Sequence, residues 1–332
     1  MKTLIKKLVE TYGPSGRESE LRNIIRAEIK GRCDYISEDP LGNLIGGLKQ
    51  ETKAGRRIML SAHMDEIGLI VSHVDRQGFA RFAPIGGISP LYCIGGRVRF
   101  ASGHAGVIGL DRRPGEKEPP RVDHLYLDLG ASSPETCPVK VGDIAVFDRP
   151  LAEAGNRLIA KAMDDRVGVA VLIETMRRLK RSSHEALFVF TVQEELGLRG
   201  ARTSAFGLDP EVAVAVDITD TGDTPRAPGM DVSLGKGPAV KIRDGGMLAD
   251  PRVVEWMTDR ASVAKVPIQR EVLSEGTTDA AAIQVTRAGV AAGCLSIPCR
   301  YAHSPSEMVD LSDVENAVRL LVAMLQAPIP FA

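Results

Sequence analysis

Residues 186–193 read ALFVFTVQ and run directly into Glu194-Glu195. An apolar run of this kind, β-branched and aromatic with no polar alternation, predicts a strand buried on both faces, as in a parallel sheet covered by helices. Three further segments support that reading. Val212–Val216 (VAVAV) ends in Asp217, Arg57–Ala62 ends in His63-Met64-Asp65-Glu66, and the strand-like Ala291–Ser296 leads past Pro298 into Tyr301-Ala302-His303. Helical patterns alternate with them, at Val167–Leu179, Ala201–Phe206, Val253–Lys265 and a closing Leu311–Leu325 with Ser312 as its cap. Alternation of this sort predicts an α/β fold, a mostly parallel sheet flanked by helices.

The ends of the chain fit around this frame. Ser15 and Glu18 have the spacing of a capping box, followed by a buried stripe of Leu21, Ile24, Ile25 and Ile29. Leu41–Leu48 reads as a further strand. After residue 68 the texture changes. Arg97–Ala101, Ala105–Leu110, His124–Leu129 and Asp143–Phe147 are short and separated by Gly, Pro and Asp, which predicts a small all-β unit inserted near residues 70–148. Within it, Asp111–Val122 is rich in proline and charge and reads as a mobile loop.

Composition narrows the function. The chain has 332 residues, 44% of them hydrophobic and 26% charged, enough for a packed soluble core. Its 42 Lys and Arg nearly cancel 43 Asp and Glu, and a 4% aromatic share with one Trp offers no platform for stacking bases, so neither nucleic acid nor an anionic membrane is an expected partner. Five cysteines do not form a disulfide framework. The first residues, MKTLIKKLVE, are broken by Lys6, Lys7 and Glu10 and read as a short amphipathic helix, not as a signal peptide. A cytoplasmic protein is expected.

In open α/β sheets ligands bind beyond the carboxyl ends of the strands. Here each of those ends delivers His, Asp or Glu: His63 and Asp65, Glu194 and Glu195, Asp217, His303, with Asp164-Asp165 just ahead of a helix. Any one of them has an ordinary explanation as a helix cap or a solvated loop. Together on one rim they would repel one another, and divalent cations would neutralise them. Histidines and carboxylates without cysteine suit zinc, cobalt or manganese. Of adjacent Glu194 and Glu195, one can ligate while the other accepts a proton as general base. Asp65, two residues beyond His63 on an extended strand, is suited to accept a hydrogen bond from its imidazole.

These segments carry a resemblance. Ala62–Leu69 (AHMDEIGL), Lys161–Gly168 (KAMDDRVG), Val192–Ala201 (VQEELGLRGA), Ala215–Asp217, Pro298–Pro305 (PCRYAHSP) and the early Gly13–Glu18 (GPSGRE) are similar, in order, to the M42 family of metallo-aminopeptidases. The resemblance implies a zinc-exopeptidase-like catalytic domain of residues 1–69 and 149–332, with 70–148 as an inserted β dimerisation domain. It implies two divalent metal ions per subunit, zinc first and cobalt or manganese as alternatives. His63 and Asp217 would hold one, Glu195 and His303 the other, and Asp164 would bridge them. Glu194 would be the general base and Asp65 the partner of His63, while Asp165 and Arg166 would order the bridging loop. The implied substrates are peptides with a free N-terminus, and the implied assembly is a homo-oligomer of dimers forming a tetrahedral dodecamer.

The competing readings are a metal-dependent deacylase or carboxypeptidase of small acylated amino acids, a glucanase, and a non-catalytic shell protein on the same fold. Gly276-Thr277-Thr278-Asp279 reads as either a wall of the substrate pocket or a helix N-cap, and Gly235-Lys236-Gly237 as a turn without the P-loop pattern. His73, His104, His124 and His184 match none of the ligand segments.

Overall fold

The computed structural model describes residues 1–50, 55–111, 119–227 and 229–331. Strand order across the large sheet runs Tyr35–Glu38, Leu44–Leu48, Glu185–Thr191, Arg57–His63, Val212–Thr219, Ala291–Arg300, Glu307–Asp310, Arg157–Ala160 and Ala152–Ala154. Ala239–Arg243 branches off Ala291–Arg300 and pairs with Gln269–Val272.

The sheet is mixed rather than mostly parallel. Its centre is parallel: Glu185–Thr191 and Val212–Thr219 both flank Arg57–His63, and Val212–Thr219 also pairs with Ala291–Arg300. The flanks are antiparallel, at Tyr35–Glu38 with Leu44–Leu48 and at Ala152–Ala154 with Arg157–Ala160. The connections there are a few residues long, enough for a hairpin and too short for the crossover that parallel pairing requires.

Side-chain alternation distributes the central strands between two faces. In VAVAV, Val212, Val214 and Val216 point with Ile58, Leu60, Phe188 and Phe190 into the larger core. That core lies beneath the helices Lys2–Glu10, Ser19–Ile29, Met163–Arg178, Pro251–Ala264 and Leu311–Leu325. Ala213 and Ala215 point with Met59, Leu187 and Val189 to the opposite face, under the helices Arg199–Leu208 and Asp279–Gln284. Small residues on that side let short helices, themselves rich in alanine, approach the sheet closely.

The six strands Gly68–Val74, Ala80–Ile85, Arg97–Phe100, Ala105–Leu110, Leu125–Asp128 and Ile144–Phe147 close into a barrel. Its interior is filled by Leu69, Val71, Phe82, Val98, Phe100, Leu127 and Phe147, a core separate from the other two. His124 lies in the short turn Val122–His124 ahead of the strand. Residues 112–118 of the loop expected at Asp111–Val122 lie outside the described residues.

Two helix caps differ from the sequence reading. The helix expected to start at Ser15 begins at Ser19, and no side chain caps it. Ser15 instead donates to Asp65 at 2.6 Å, and the Glu18 carboxylate accepts from the amides of Gly16 and Gln193. The closing helix is capped by Asp310, which accepts from Ser312 N at 3.0 Å, so Ser312 lies inside the helix and not at its cap. No helix among the described residues is long and apolar enough to cross a membrane.

Candidate metal centre

Parallel pairing brings distant residues level. Thr191 stands opposite His63, and Ala215 opposite Ser61, so His63 and Asp217, two residues further along each strand, emerge side by side at the carboxyl edge. Glu194 and Glu195 follow three and four residues after Thr191. His303 arrives on the turn after Ala291–Arg300, and Asp164 lies at the mouth of Met163–Arg178, where Asp164 and Asp165 leave helical geometry.

Two groups of potential ligand atoms result, each with its atoms within 4.8 Å of one another: His63, Asp164 and Asp217, and Asp164, Glu195 and His303. Asp164 belongs to both. Its Oδ1 lies 2.9 Å from His63 Nε2 and its Oδ2 lies 3.3 Å from His303 Nε2. Asp217 Oδ1 is 3.9 Å from His63 Nε2, and Glu195 Oε2 is 3.9 Å from His303 Nδ1.

The surroundings fix these side chains. His63 Nδ1 faces the main-chain carbonyl of Asp65 at 3.1 Å, closer than the Asp65 carboxylate at 3.4 Å. The fully buried Asp65 carboxylate accepts from the amides of Glu194 and Glu195 at 3.0 and 3.2 Å and from the Ser15 hydroxyl. Asp65 therefore aligns the two glutamates as well as lying beside the imidazole. Asp165 accepts from the amides of His63 and Gly168. The Arg166 guanidinium, fully buried, donates to the carbonyls of Leu8, Thr11 and Gly13 and to Glu66, fastening the N-terminal segment under the centre.

Two contributors, Glu307 and Gly86-Gly87, escaped the sequence reading, and Asp279 entered it only as part of a pocket wall or helix cap. Glu307, 1% exposed, accepts from the amide of Asp164 at 3.0 Å and from that of His303 at 2.9 Å, so one carboxylate holds two candidate ligands in place. Asp279 is buried and accepts from Thr191 at 2.7 Å beneath the rim. Gly86-Gly87, on the barrel, brings a carbonyl to His303 Nδ1 at 2.8 Å. Gly276, Thr277 and Thr278 line the cleft, and Thr278 also precedes the helix Asp279–Gln284 without a side-chain cap bond. Gly235 and Gly237 form a turn whose amides both donate to Asp313.

Electrostatics set the centre apart. Burial, reinforced by Asp164, pushes the Asp217 carboxyl up to about 8. Burial also holds Glu194 and Glu195 well above the usual carboxylate range, with Asp217 and Asp164 respectively adding repulsion. For Asp164 burial acts in the same direction, yet the hydrogen bond and charge of His63 hold it below its ordinary value. Several largely buried carboxylates stand close together with too little positive charge, the condition that a bound cation relieves. One atom makes the same point: Glu195 Oε1 is buried with no hydrogen-bond partner among the described residues. The imidazoles agree. A carbonyl only accepts, so Nδ1 of each histidine carries its proton toward Asp65 O or Gly87 O, and each Nε2 is left facing Asp164. The donor set fits a divalent metal ion.

A carboxylate–imidazole centre at the carboxyl edge of an α/β sheet, opening into a cleft of ≈ 400 Å³, places the chain in the class of α/β proteins with a candidate metal site in a ligand cleft. The sequence profile of the M42 glutamyl aminopeptidases matches residues 42–320, and the chain belongs to that family of metal-dependent peptidases. It is similar to an aminopeptidase from the archaeon Desulfurococcus kamchatkensis, at 43% identity and a TM-score of 0.93, covering 99% of this chain and 95% of that one. It is 35% identical to the lysyl aminopeptidase of Pyrococcus furiosus, over 97% of this chain and 96% of the relative. The structure of the Pyrococcus horikoshii TET1 peptidase, described as assembling into a tetrahedron or a large octahedral shell, matches with a TM-score of 0.88 at 33% identity over 98% and 99% of the two chains. The chain is an aminopeptidase, a hydrolase of peptide bonds.

Proposed function

We propose that the chain hydrolyses the N-terminal residue from peptides at a centre of two divalent metal ions. One ion would be held by His63 and Asp217, the other by Glu195 and His303, with Asp164 shared. The observation that carries this reading is the membership of Asp164 in both ligand groups. Glu195 Oε1, orphaned and buried, supports the second site. Zinc suits the donor set, and cobalt or manganese would fit it too. When bound, such a pair polarises a carbonyl and lowers the pKa of water.

The residues of the chain supply the rest. Glu194 lines the cleft beside Asp164 and Asp217 and makes no side-chain hydrogen bond among the described residues that would occupy it. It is placed to take a proton from the attacking water and to return it to the leaving amine. Asp65 holds the amides of Glu194 and Glu195 and thereby their separation from the scissile bond. Glu307 holds Asp164 and His303 through their main chains. The carboxylates of the rim attract the ammonium of a free peptide N-terminus, which accounts for exopeptidase action.

The barrel of Gly68–Phe147 is the proposed dimer contact of a homo-oligomer, and the assembly of the Pyrococcus horikoshii relative supports a closed shell. Leu91, Tyr92 and Val141 expose apolar surface on this insert, which suits burial against another copy.

Hydrolysis of leucine p-nitroanilide by the protein, its loss with chelator and recovery on adding metal test the reading. An N-acetylated substrate should be refractory. Release of acetate from the blocked compound would favour a deacylase.

A further inference from the structure

Beyond the centre the cleft continues as an arm between the end of Val212–Thr219 and the segment 273–278. Met230 and Leu273 form apolar walls there, and the charged groups are Asp220, Glu275 and Lys241. These groups are not equivalent. Lys241 is 1% exposed and its ammonium is bonded to the buried Glu271 carboxylate, with Asp244 4.0 Å away. Glu271 in turn accepts from Thr219 at 2.7 Å, so the pair is fixed to the sheet. A lysine so held is already bonded and is not free to reach an anionic ligand, and drawing it out would leave two buried carboxylates unpaired.

Asp220 and Glu275 are the opposite case. Both are exposed toward the cleft, and neither carries a hydrogen bond or ion pair from its carboxylate among the described residues. Asp220 lies close enough to the centre to interact with His303 and Asp164, and close enough to Lys241 to feel its ammonium as well. The arm therefore has two carboxylates without a bonded partner among the described residues, a lysine held by Glu271 and apolar walls.

We propose that this arm receives the side chain of the substrate's N-terminal residue and selects a long basic one, lysine or arginine. The assignment rests on the aminopeptidase reading, because the arm matters for the first residue only if the scissile bond lies at the carboxylate–imidazole centre. The methylenes of lysine or arginine pack on Met230 and Leu273 while the charged end reaches Asp220 and Glu275. A glutamate or aspartate side chain meets repulsion from both acids and, among the described residues lining the arm, no cation that is not already bonded. This chain thus departs from the glutamyl preference in its family's description.

The test uses the metal-loaded full chain and the p-nitroanilides of lysine, arginine, leucine, alanine and glutamate. Lysine and arginine should exceed leucine in kcat/KM by about tenfold, with glutamate lowest. Asp220→Asn should lower the lysine-to-leucine ratio by about tenfold, and Asp220→Lys should reverse the order of lysine and glutamate. A ratio is insensitive to partial unfolding, which removes activity toward all substrates alike. Leucine or glutamate leading in the wild type, or a lysine-to-leucine ratio unmoved by Asp220→Asn, would overturn the proposal. If none of the five compounds is cleaved, the aminopeptidase reading fails, and the assignment of the arm with it.

Discussion

The carbonyl oxygen of Gly87 lies 2.8 Å from Nδ1 of His303. The barrel therefore reaches the centre at the edge of the large sheet and fixes the tautomer of one candidate ligand. The neighbouring Gly86 shows how tight the approach is. Its φ is +76°, and a Cβ there would lie 2.6 Å from Glu195 Oε2. Gly86→Ala should weaken one metal ion by about 10- to 100-fold, the usual cost of disturbing a ligand's support, and leave the other bound. Elemental analysis after dialysis against graded zinc buffers should show the stoichiometry falling from two to one. Two ions of unchanged affinity would count against this placement.

Glu194→Gln removes the proposed base while preserving shape. Metal content should stay at the wild-type level, and kcat should fall by about 10²–10⁴ with little change in KM. Steady-state kinetics on leucine p-nitroanilide beside metal analysis separates the two effects. A variant with near-normal kcat would exclude Glu194 as the base.

Asp164→Ala has a different signature. With Asp164 shared by both ligand groups, its loss should deplete both ions and not one, and excess metal should rescue little activity. Calorimetric titration of the metal-free protein reads this directly, and retention of two tight sites would refute the bridge.

Away from the centre, His184 predicts a pH effect on stability. It is 2% exposed, its Nδ1 accepts from the amide of Arg56 at 3.2 Å and its Nε2 lies 2.8 Å from the Ala327 carbonyl, an arrangement that suits the neutral ring. Burial, with Arg56 adding to it, lowers its pKa from 6.5. The folded state therefore binds this proton less readily than the unfolded chain. The contribution of His184 is complete above pH 6.5 and is lost as pH falls through its lowered pKa. His184→Gln should be less stable than wild type at pH 8, and the difference in urea midpoint should narrow toward pH 5. A constant difference across that range would contradict the assignment.

The central strands were legible because uninterrupted apolar runs such as ALFVFTVQ have few alternatives, and the rim was legible because each run ended in a ligand-type residue. The antiparallel flanks were not, since periodicity gives a strand's existence without its direction. Ser15 and Glu18 misled because a capping box and a pair of site-supporting side chains have the same spacing; only the fold brings Asp65 and Gln193 to them. Glu307 was overlooked for a related reason. Its work is done on the main-chain amides of Asp164 and His303, and main-chain contacts leave no residue-type signature. Gly86-Gly87 gave no signal at all, because a glycine pair in a β insert reads as a turn until His303 is placed against it.

The most direct test is anomalous diffraction at the zinc edge from crystals of the metal-loaded protein. Two peaks are expected, one about 2.0–2.2 Å from His63 and Asp217 and one at that distance from Glu195 and His303, with Asp164 oxygens reaching both. A single peak, or peaks that leave Asp164 outside the coordination of either ion, would contradict the account.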